Sequence, residues 1–369
     1  MRLVVLFSRG MSLHGWRAAG LLDRELALYR AMRPYLEHLA FVTYGDAGEA
    51  ALAAQVPGVD VLSNRWRLPS NVYSILAPVL HRRVLRQATV FRTNQLNGAW
   101  TGVIAKRLFN KKLVVRCGFV WSDFVTRLHP GNWRHAVALR LERLAVRAAD
   151  AVILATESDR DTIVERHGIR RERTHLIPNF VDTEAFRPLP GVTREPGRTT
   201  FVGRLDDQKN LPALIEAVET LPGVRLVIIG DGPRRHLLES WARQRRVNVS
   251  FLGVRQHAEL PALLNRSAVF VLPSHYEGHP KALLEAMACG VPVIGTRVTG
   301  IQELLRHRET GYLCGTSAAE LREALREVLG DAALSGRMSA GARDDVCEFN
   351  SLKSAVEREL AVLRALEAR

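Results

Sequence analysis

Short apolar, β-branched runs, each followed by a longer segment with helical spacing, recur along the whole chain. No other feature constrains the fold as much. In the first half the runs are residues 3–7, 39–44, 90–93, 112–116 and 151–155; a second series follows at 200–203, 224–230, 249–252, 269–273 and 291–296. Such alternation reads as the strands of parallel sheets covered by helices, an α/β chain of doubly wound type. Between the two series, Arg187-Pro188-Leu189-Pro190-Gly191 leads to Pro196-Gly197, a stretch dense in the residues that punctuate domains. The pattern predicts an N-terminal Rossmann-like domain over residues 1–187, a linker over 188–198 and a C-terminal Rossmann-like domain over 199–348. Residues 349–369 carry Leu352, Val356, Leu360, Leu363 and Leu366 at helical spacing, which predicts a final helix packed across one of the domains.

Composition narrows the class. A chain of 369 residues, 47% hydrophobic and 24% charged, has apolar surface enough for two cores, which excludes a disordered chain and a single small module. The apolar run at the start is too short for a signal-peptide core, and no stretch is long enough to span a bilayer, so membrane contact is expected to be peripheral. Cys117, Cys289, Cys314 and Cys347 form no CxxC pair, which fits a reducing cytoplasm. Of the net charge of +14, residues 1–190 contribute +12 and residues 191–369 only +2. A basic excess in one half suits an anionic membrane face, an acidic substrate or nucleic acid; few aromatics and no RNP-like or zinc-finger spacing weigh against the last.

The strongest local pattern is Ser274-His275-Tyr276-Glu277-Gly278-His279-Pro280-Lys281, running from the end of a strand into a helix that stops at Gly290. Pro280 stands where a first helical position would be, and the free N–H groups there favour an anion such as phosphate. Glu277 lies on the loop and Glu285 about one turn inside the helix. Separated by eight residues and a proline, they suit recognition of hydroxyls on two parts of one ligand better than a paired acid and base. An ordinary surface loop with a solvated Glu277 is the alternative for this segment alone. His275 and His279 flank Glu277, but Gly278 and Pro280 break the continuous helix that an HExxH zinc site needs.

Two further strands run into glycine-bearing loops. Gly203-Arg204-Leu205-Asp206-Asp207-Gln208-Lys209 puts two cations at the carboxyl edge of a sheet, where they either neutralise a diphosphate or pair with Asp206 and Asp207. Gly230-Asp231-Gly232-Pro233-Arg234-Arg235 lacks the third glycine of a dinucleotide fingerprint, so a nicotinamide cofactor is not supported; Gly230 and Gly232 permit close approach of a ligand or form a plain turn. In the first half, Ser8-Arg9-Gly10 and Arg116-Cys117-Gly118 follow strands and face the same edge, as cleft residues or as a tight connection and a surface cation. Asp159-Arg160-Asp161 has the form of a metal-holding DxD, or of acids explained by a helix cap at Ser158. Residues 133–150 alternate Val137, Leu141, Leu144 and Ala148 with Arg134, Arg140, Arg143 and Arg147, a basic amphipathic helix packed on the core or docked on a membrane.

Taken together, these segments resemble the retaining glycosyltransferases of family 4, with the two-domain GT-B fold. The resemblance rests on GRLDDQKN, the GDGP turn, Phe251-Leu252-Gly253 and the E-x7-E stretch ending EAMACGVPVIGT, in that order, with Ile177-Pro178-Asn179-Phe180-Val181-Asp182 preceding the linker. Phe180 stands where the family has glycine. The resemblance implies that Arg204 and Lys209 grip the donor diphosphate and that Glu277 holds the transferred sugar and Glu285 the donor ribose. It implies a donor site completed by Gly203, Gly230, Gly232, Val254, Gly278, His279, Pro280, Lys281 and Leu284. Gly10, Arg116 and Asn179 are expected on the first domain's side of a central cleft, with Arg116 where many relatives carry a histidine. The implied chemistry needs no cofactor and no metal. A UDP- or GDP-linked sugar is the donor, and the acceptor is a glycan or a lipid-diphosphate-linked glycan in bacterial surface polysaccharide or glycolipid assembly. The protein is expected in the cytoplasm, either free or peripheral on the inner face of the membrane. A nucleotide-sugar epimerase or hydrolase of the same architecture, and a noncatalytic nucleic-acid-binding protein, are the other readings.

Overall fold

All ten apolar runs become strands, divided between two parallel sheets, in a computed structural model that describes residues 1–128 and 133–368. The chain falls into two units, Met1–Pro178 with Ala355–Arg369, and Asn179–Ser354; Arg369, the end of the predicted final helix, lies outside the described residues.

Among the described residues, the first unit holds seven strands: β1 (Arg2–Leu6), β2 (His38–Val42), β3 (Val59–Leu62), β4 (Val90–Thr93), β5 (Lys112–Cys117), β6 (Ala151–Leu154) and β7 (Thr174–Leu176). They lie in the order β3-β2-β1-β4-β5-β6-β7 with every pairing parallel. The inner strands read as near-continuous apolar runs because helices cover both faces. The edge strands β3 and β7, absent from the predicted set, are short and only half-buried, and so carry little of that signal.

In the second unit the strands are β8 (Arg198–Val202), β9 (Arg225–Ile229), β10 (Val249–Gly253), β11 (Val269–Leu272), β12 (Val293–Thr296) and β13 (Tyr312–Cys314), in the order β10-β9-β8-β11-β12-β13, again all parallel. Edge strand β13 is the third that the sequence did not announce.

The predicted linker is tied into this second unit. The Asn265 side chain receives the Leu189 N–H and donates to the Arg187 carbonyl, at 2.8 and 2.9 Å, and the Arg194 guanidinium donates to the Gly290 carbonyl. The chain instead passes between units at Pro178 and again at Ser354. The helix Leu352–Glu367 begins in the second unit and packs on the first, burying Val356, Leu360, Leu363 and Leu366. Its Glu359 carboxylate accepts from Arg92 on β4, both side chains 1% exposed. The Tyr29 hydroxyl accepts from Arg92 at 2.8 Å and is itself pushed up to about 12 by burial. No helix among the described residues is long and apolar enough to cross a membrane.

Candidate functional site

In a sheet ordered β10-β9-β8-β11-β12-β13 the chain winds one way from β8 and the other way from β11, so the loops leaving these two strands part at their carboxyl ends. That crevice is where open α/β sheets bind ligands. The loop after β8 carries Gly203 to Lys209, and the loop after β11 carries Ser274 to Pro280. Two motifs separated by about 70 residues in the sequence thus become neighbours.

Their side chains meet. Lys209 Nζ lies 2.5 Å from Glu277 Oε1, with the two side chains 15% and 7% exposed, and the Ser274 hydroxyl donates to the same carboxylate oxygen at 2.6 Å. The loops are also stitched together. His275 N–H donates to the Gln208 carbonyl, the Gln208 amide donates to the Tyr276 carbonyl, and Asn210 donates to the carbonyls of Pro273 and Thr316. Arg204 is left reaching outward, its side chain 72% exposed and 3.7 Å from Asp206. Asp207 is claimed by Arg234 through two hydrogen bonds of 2.7 Å, which hold its carboxyl below the usual range. Of the alternative pairings with Asp206 and Asp207, that of Arg204 with Asp206 is present, whereas Lys209 pairs with Glu277 instead.

The helix Lys281–Ala288 begins one residue later than expected: Pro280 is its cap, in extended conformation, and Lys281 takes the first helical position. Glu285 is buried on it, with His257 Nε2 3.0 Å from its carboxylate, and the His257 ring lies against Phe186 with centroids 4.8 Å apart. Nothing local in the sequence marked His257, which sits on a turn after β10. Leu284, expected to line the site, is fully buried in the core with Leu283 and Ala286. Asn179, expected on the first domain's side, belongs to the second unit: it donates to the His279 carbonyl at 2.7 Å, and its own carbonyl receives Asn350. Its neighbour Phe180, the departure from the family glycine, carries the Lys281 ammonium 5.6 Å from its ring centroid. The Gly278 carbonyl rests against Gly300, where an added Cβ would stand 1.6 Å from it.

Gly230 and Gly232 have a packing role of their own. Gly230 has φ +134°, and a Cβ there would lie 1.9 Å from the Gly203 carbonyl oxygen. Leu205 N–H donates to the Asp231 carbonyl and Arg234 N–H to the Leu205 carbonyl, while Gly230 N–H donates to the Gly253 carbonyl. The loops after β8, β9 and β10 form one backbone-bonded layer, with Val254 exposed beside it.

In the first unit the switch point lies between β1 and β4. Gly10 is on the loop after β1, and Arg9 N–H donates to the carbonyl of Asn97, on the loop after β4. Gly118 N–H donates to Gln95 of that same loop at 2.9 Å. Asn94 to Gly98 was missed, although its Asn97-Gly98 pair is a turn signal. Arg116 is not a surface cation: it is buried, its pKa drawn down by burial and supported by the Glu359 carboxylate nearby.

Asp159 and Asp161 stand at the start of the helix Glu157–His167, whose cap is Thr156, accepting from Asp159 N–H, rather than Ser158; Asp161 pairs with Arg171. Among the described residues no group of three His, Cys, Asp or Glu is placed to hold a metal. The helix Trp133–Ala148 buries Ala138, Glu142, Ala145 and Val146 and exposes Val137 and Leu144, a face turned from the predicted one. Buried Glu142 accounts for the turn: Ser122 donates to it through both N–H and hydroxyl at 2.9 Å, and His167 lies 2.8 Å away.

Comparison with known proteins identifies the family and the fold. Residues 182–345 match the family model described as Glycosyl transferases group 1, and residues 28–185 match Glycosyltransferase Family 4. Glycogen synthase of Mycobacterium tuberculosis is 35% identical over 57% of this chain, and alpha-D-kanosaminyltransferase of Streptomyces kanamyceticus is 29% identical over 62%. The chain spans about half (51%) of that glycogen synthase and 64% of the kanosaminyltransferase. N-acetyl-alpha-D-glucosaminyl L-malate synthase of Bacillus anthracis is 28% identical over 83% of this chain and 75% of its own length. Among solved structures, HepE of Anabaena in complex with UDP and glucose aligns with a TM-score of 0.80 at 21% identity, over 99% of this chain and all of that one. Sucrose-phosphate synthase of Thermosynechococcus elongatus aligns equally well at 20% identity, over the full length of both chains. These last two likenesses concern the fold, which is GT-B.

Proposed function

Because this chain belongs to the group 1 glycosyl transferases of family 4, we propose that it moves a hexose-type sugar, with retention, from a nucleoside-diphosphate donor to a glycan or lipid-diphosphate-linked acceptor. The observation that carries this reading is the meeting of Lys209 and Glu277 at the β8–β11 crevice, with exposed Arg204 on the same loop as Lys209. A diphosphate arriving there finds one forked guanidinium and one ammonium, while the Glu277 carboxylate, already half-neutralised by Lys209, retains acceptor capacity for sugar hydroxyls. Glu285, oriented by His257, would receive the ribose hydroxyls.

In the proposed reaction the bond from the anomeric carbon to the diphosphate oxygen breaks, and the acceptor oxygen bonds that carbon on the same face. The acceptor proton passes to the departing phosphate oxygen. Arg204 and Lys209 act by stabilising the charge that develops on that oxygen, usually the largest single contribution in such a site. Charge neutralisation falls to these side chains, so donor binding is expected to survive chelation.

The named relatives make three different products, so similarity passes no acceptor to this chain. HepE is titled with UDP, which puts UDP sugars first in the panel to be tested. The decisive experiment is calorimetric titration of UDP- and GDP-linked sugars and their free nucleotides, with magnesium and with EDTA. Selective, EDTA-insensitive binding that disappears in Arg204→Ala supports the reading; consumption of the nucleotide sugar without any acceptor would replace it with the epimerase or hydrolase reading. The acceptor is proposed to come from surface polysaccharide or glycolipid assembly at the cytoplasmic face of the membrane, on the strength of the basic first half.

A further inference from the structure

We propose that the helix Ser70–Leu80 and the arginines flanking it form a docking face for an anionic lipid bilayer. One side of this helix is spent on the fold. Tyr73, Ser74, Ala77 and Pro78 are buried, the Tyr73 hydroxyl donates to the Leu62 carbonyl, and Ser74 is held by Trp100 and Thr101. The opposite side carries Val72, Ile75, Leu76 and Val79, at 42%, 56%, 40% and 49% exposure and spaced i, i+3, i+4, i+7. A helix face meant only for water carries polar residues at those positions. Here no Asp, Glu, Lys or Arg occurs between Arg67 and Arg82.

Charge selects the occupant. Arg65, Arg67, Arg82, Arg83 and Arg86 are all exposed, and the chain has no Asp or Glu between Asp60 and Asp123 to answer them. The two arginine groups border one patch, because Trp66 packs on His81 with ring centroids 5.4 Å apart. An aliphatic stripe flanked by arginines, on a stretch of chain without acidic residues, is complementary to acyl chains under anionic headgroups. A second copy of the same face would bring two such arginine groups together, an arrangement that like charges oppose. The start of the helix adjoins the first unit's carboxyl edge, since Asn71 accepts from Arg9 on the loop after β1. A lipid-borne acceptor would be delivered beside that edge. Only this last consequence rests on the transferase reading; docking itself does not.

The test is sedimentation of the full chain with vesicles of phosphatidylcholine, alone or mixed with phosphatidylglycerol, over a range of salt. Partition onto the anionic vesicles is expected to exceed that onto the neutral ones at least ~10-fold and to fall with salt. Ile75→Ser/Leu76→Ser should lower it at least ~10-fold, with the urea unfolding midpoint unchanged as the sign of an intact fold. On the unaltered protein, vesicles should slow amide exchange across residues 66–86. No preference for anionic vesicles, partition retained by the double variant with exchange unchanged in 66–86, or a concentration-dependent dimer that the variant abolishes would each overturn the proposal. A protein that docks but binds no nucleotide sugar would fail the transferase reading and leave the docking face standing.

Discussion

Lys209 Nζ and Glu277 Oε1 lie 2.5 Å apart across the crevice between the loops after β8 and β11, and both side chains are largely withdrawn from water. The pair is where the two strongest sequence motifs become one site. Lys209→Ala is expected to cost about 10²- to 10³-fold in turnover, as loss of a donor to a developing oxyanion does. A cycle with Glu277→Gln should show coupling above about 1 kcal/mol, because each variant leaves the other group buried without its partner. Steady-state kinetics of the two single variants and the double variant would sink this pairing if the effects simply added.

Glu285 sits behind the site, held by His257. Glu285→Ala should weaken donor binding by about 10- to 100-fold, the range of a charge-assisted hydrogen bond, and affect turnover at saturation less. Calorimetry alongside kinetics separates the two effects. An intact affinity with lost turnover would move Glu285 from ribose recognition to the reacting end.

Gly230 tests the backbone layer that carries the loops. At φ +134°, with the Gly203 oxygen 1.9 Å from any added Cβ, Gly230→Ala should destabilise the second unit by about 3 kcal/mol or more and reduce nucleotide binding with it. Gly191, at φ +78° with open space around it, is the control, where the same change should cost about 1–2 kcal/mol. Urea midpoints followed for both variants check the difference.

Arg92 and Glu359 bind the returning helix to the first unit. Glu359→Gln leaves the Arg92 guanidinium buried without its carboxylate and should cost about 3–5 kcal/mol, whereas Arg92→Met/Glu359→Leu together should recover at least half of that. Equal losses in both variants, read from denaturant unfolding, would show that the cost is not that of an unpaired Arg92 charge, since Arg116 also loses the Glu359 carboxylate in both.

His81 gives a pH signature. Burial, with Arg65 adding to it, lowers its pKa from 6.5 to about 4. The folded protein therefore resists protonating His81 while the unfolded chain does not. The stability held by neutral His81 is full above pH 6.5 and is lost as pH falls towards 4, amounting to on the order of 2–3 kcal/mol. His81→Gln should flatten the stability profile within that window. An unchanged slope there would assign the acid sensitivity to other groups.

Legibility in the sequence followed the strength of local signals. Inner strands such as β1 and β11 were legible because burial on both faces demands unbroken apolar runs, whereas β3, β7 and β13 lie at sheet edges and lack that demand. Residues 133–148 show a pattern misread by rotation: the apolar spacing placed Val137 and Leu144 inward, but the buried carboxylate of Glu142, satisfied by Ser122 and His167, sets the face. The sequence marked Glu285 and had no way to mark His257, whose role exists only because a turn after β10 brings it against the helix.

By itself, then, the amino-acid sequence determined two parallel-sheet domains and the residues of the β8 and β11 loops, since strand periodicity, glycine turns and helix starts are local properties of the chain. Tertiary structure alone decided which partner each charge takes: Lys209 with Glu277, Asp207 with Arg234, Arg92 with Glu359. It also moved Asn179 and the Pro/Gly-rich stretch into the second unit. The reason is that pairing energies depend on distance and burial, which sequence separation does not encode, and the strand order that sets them is fixed only when both sheets have formed.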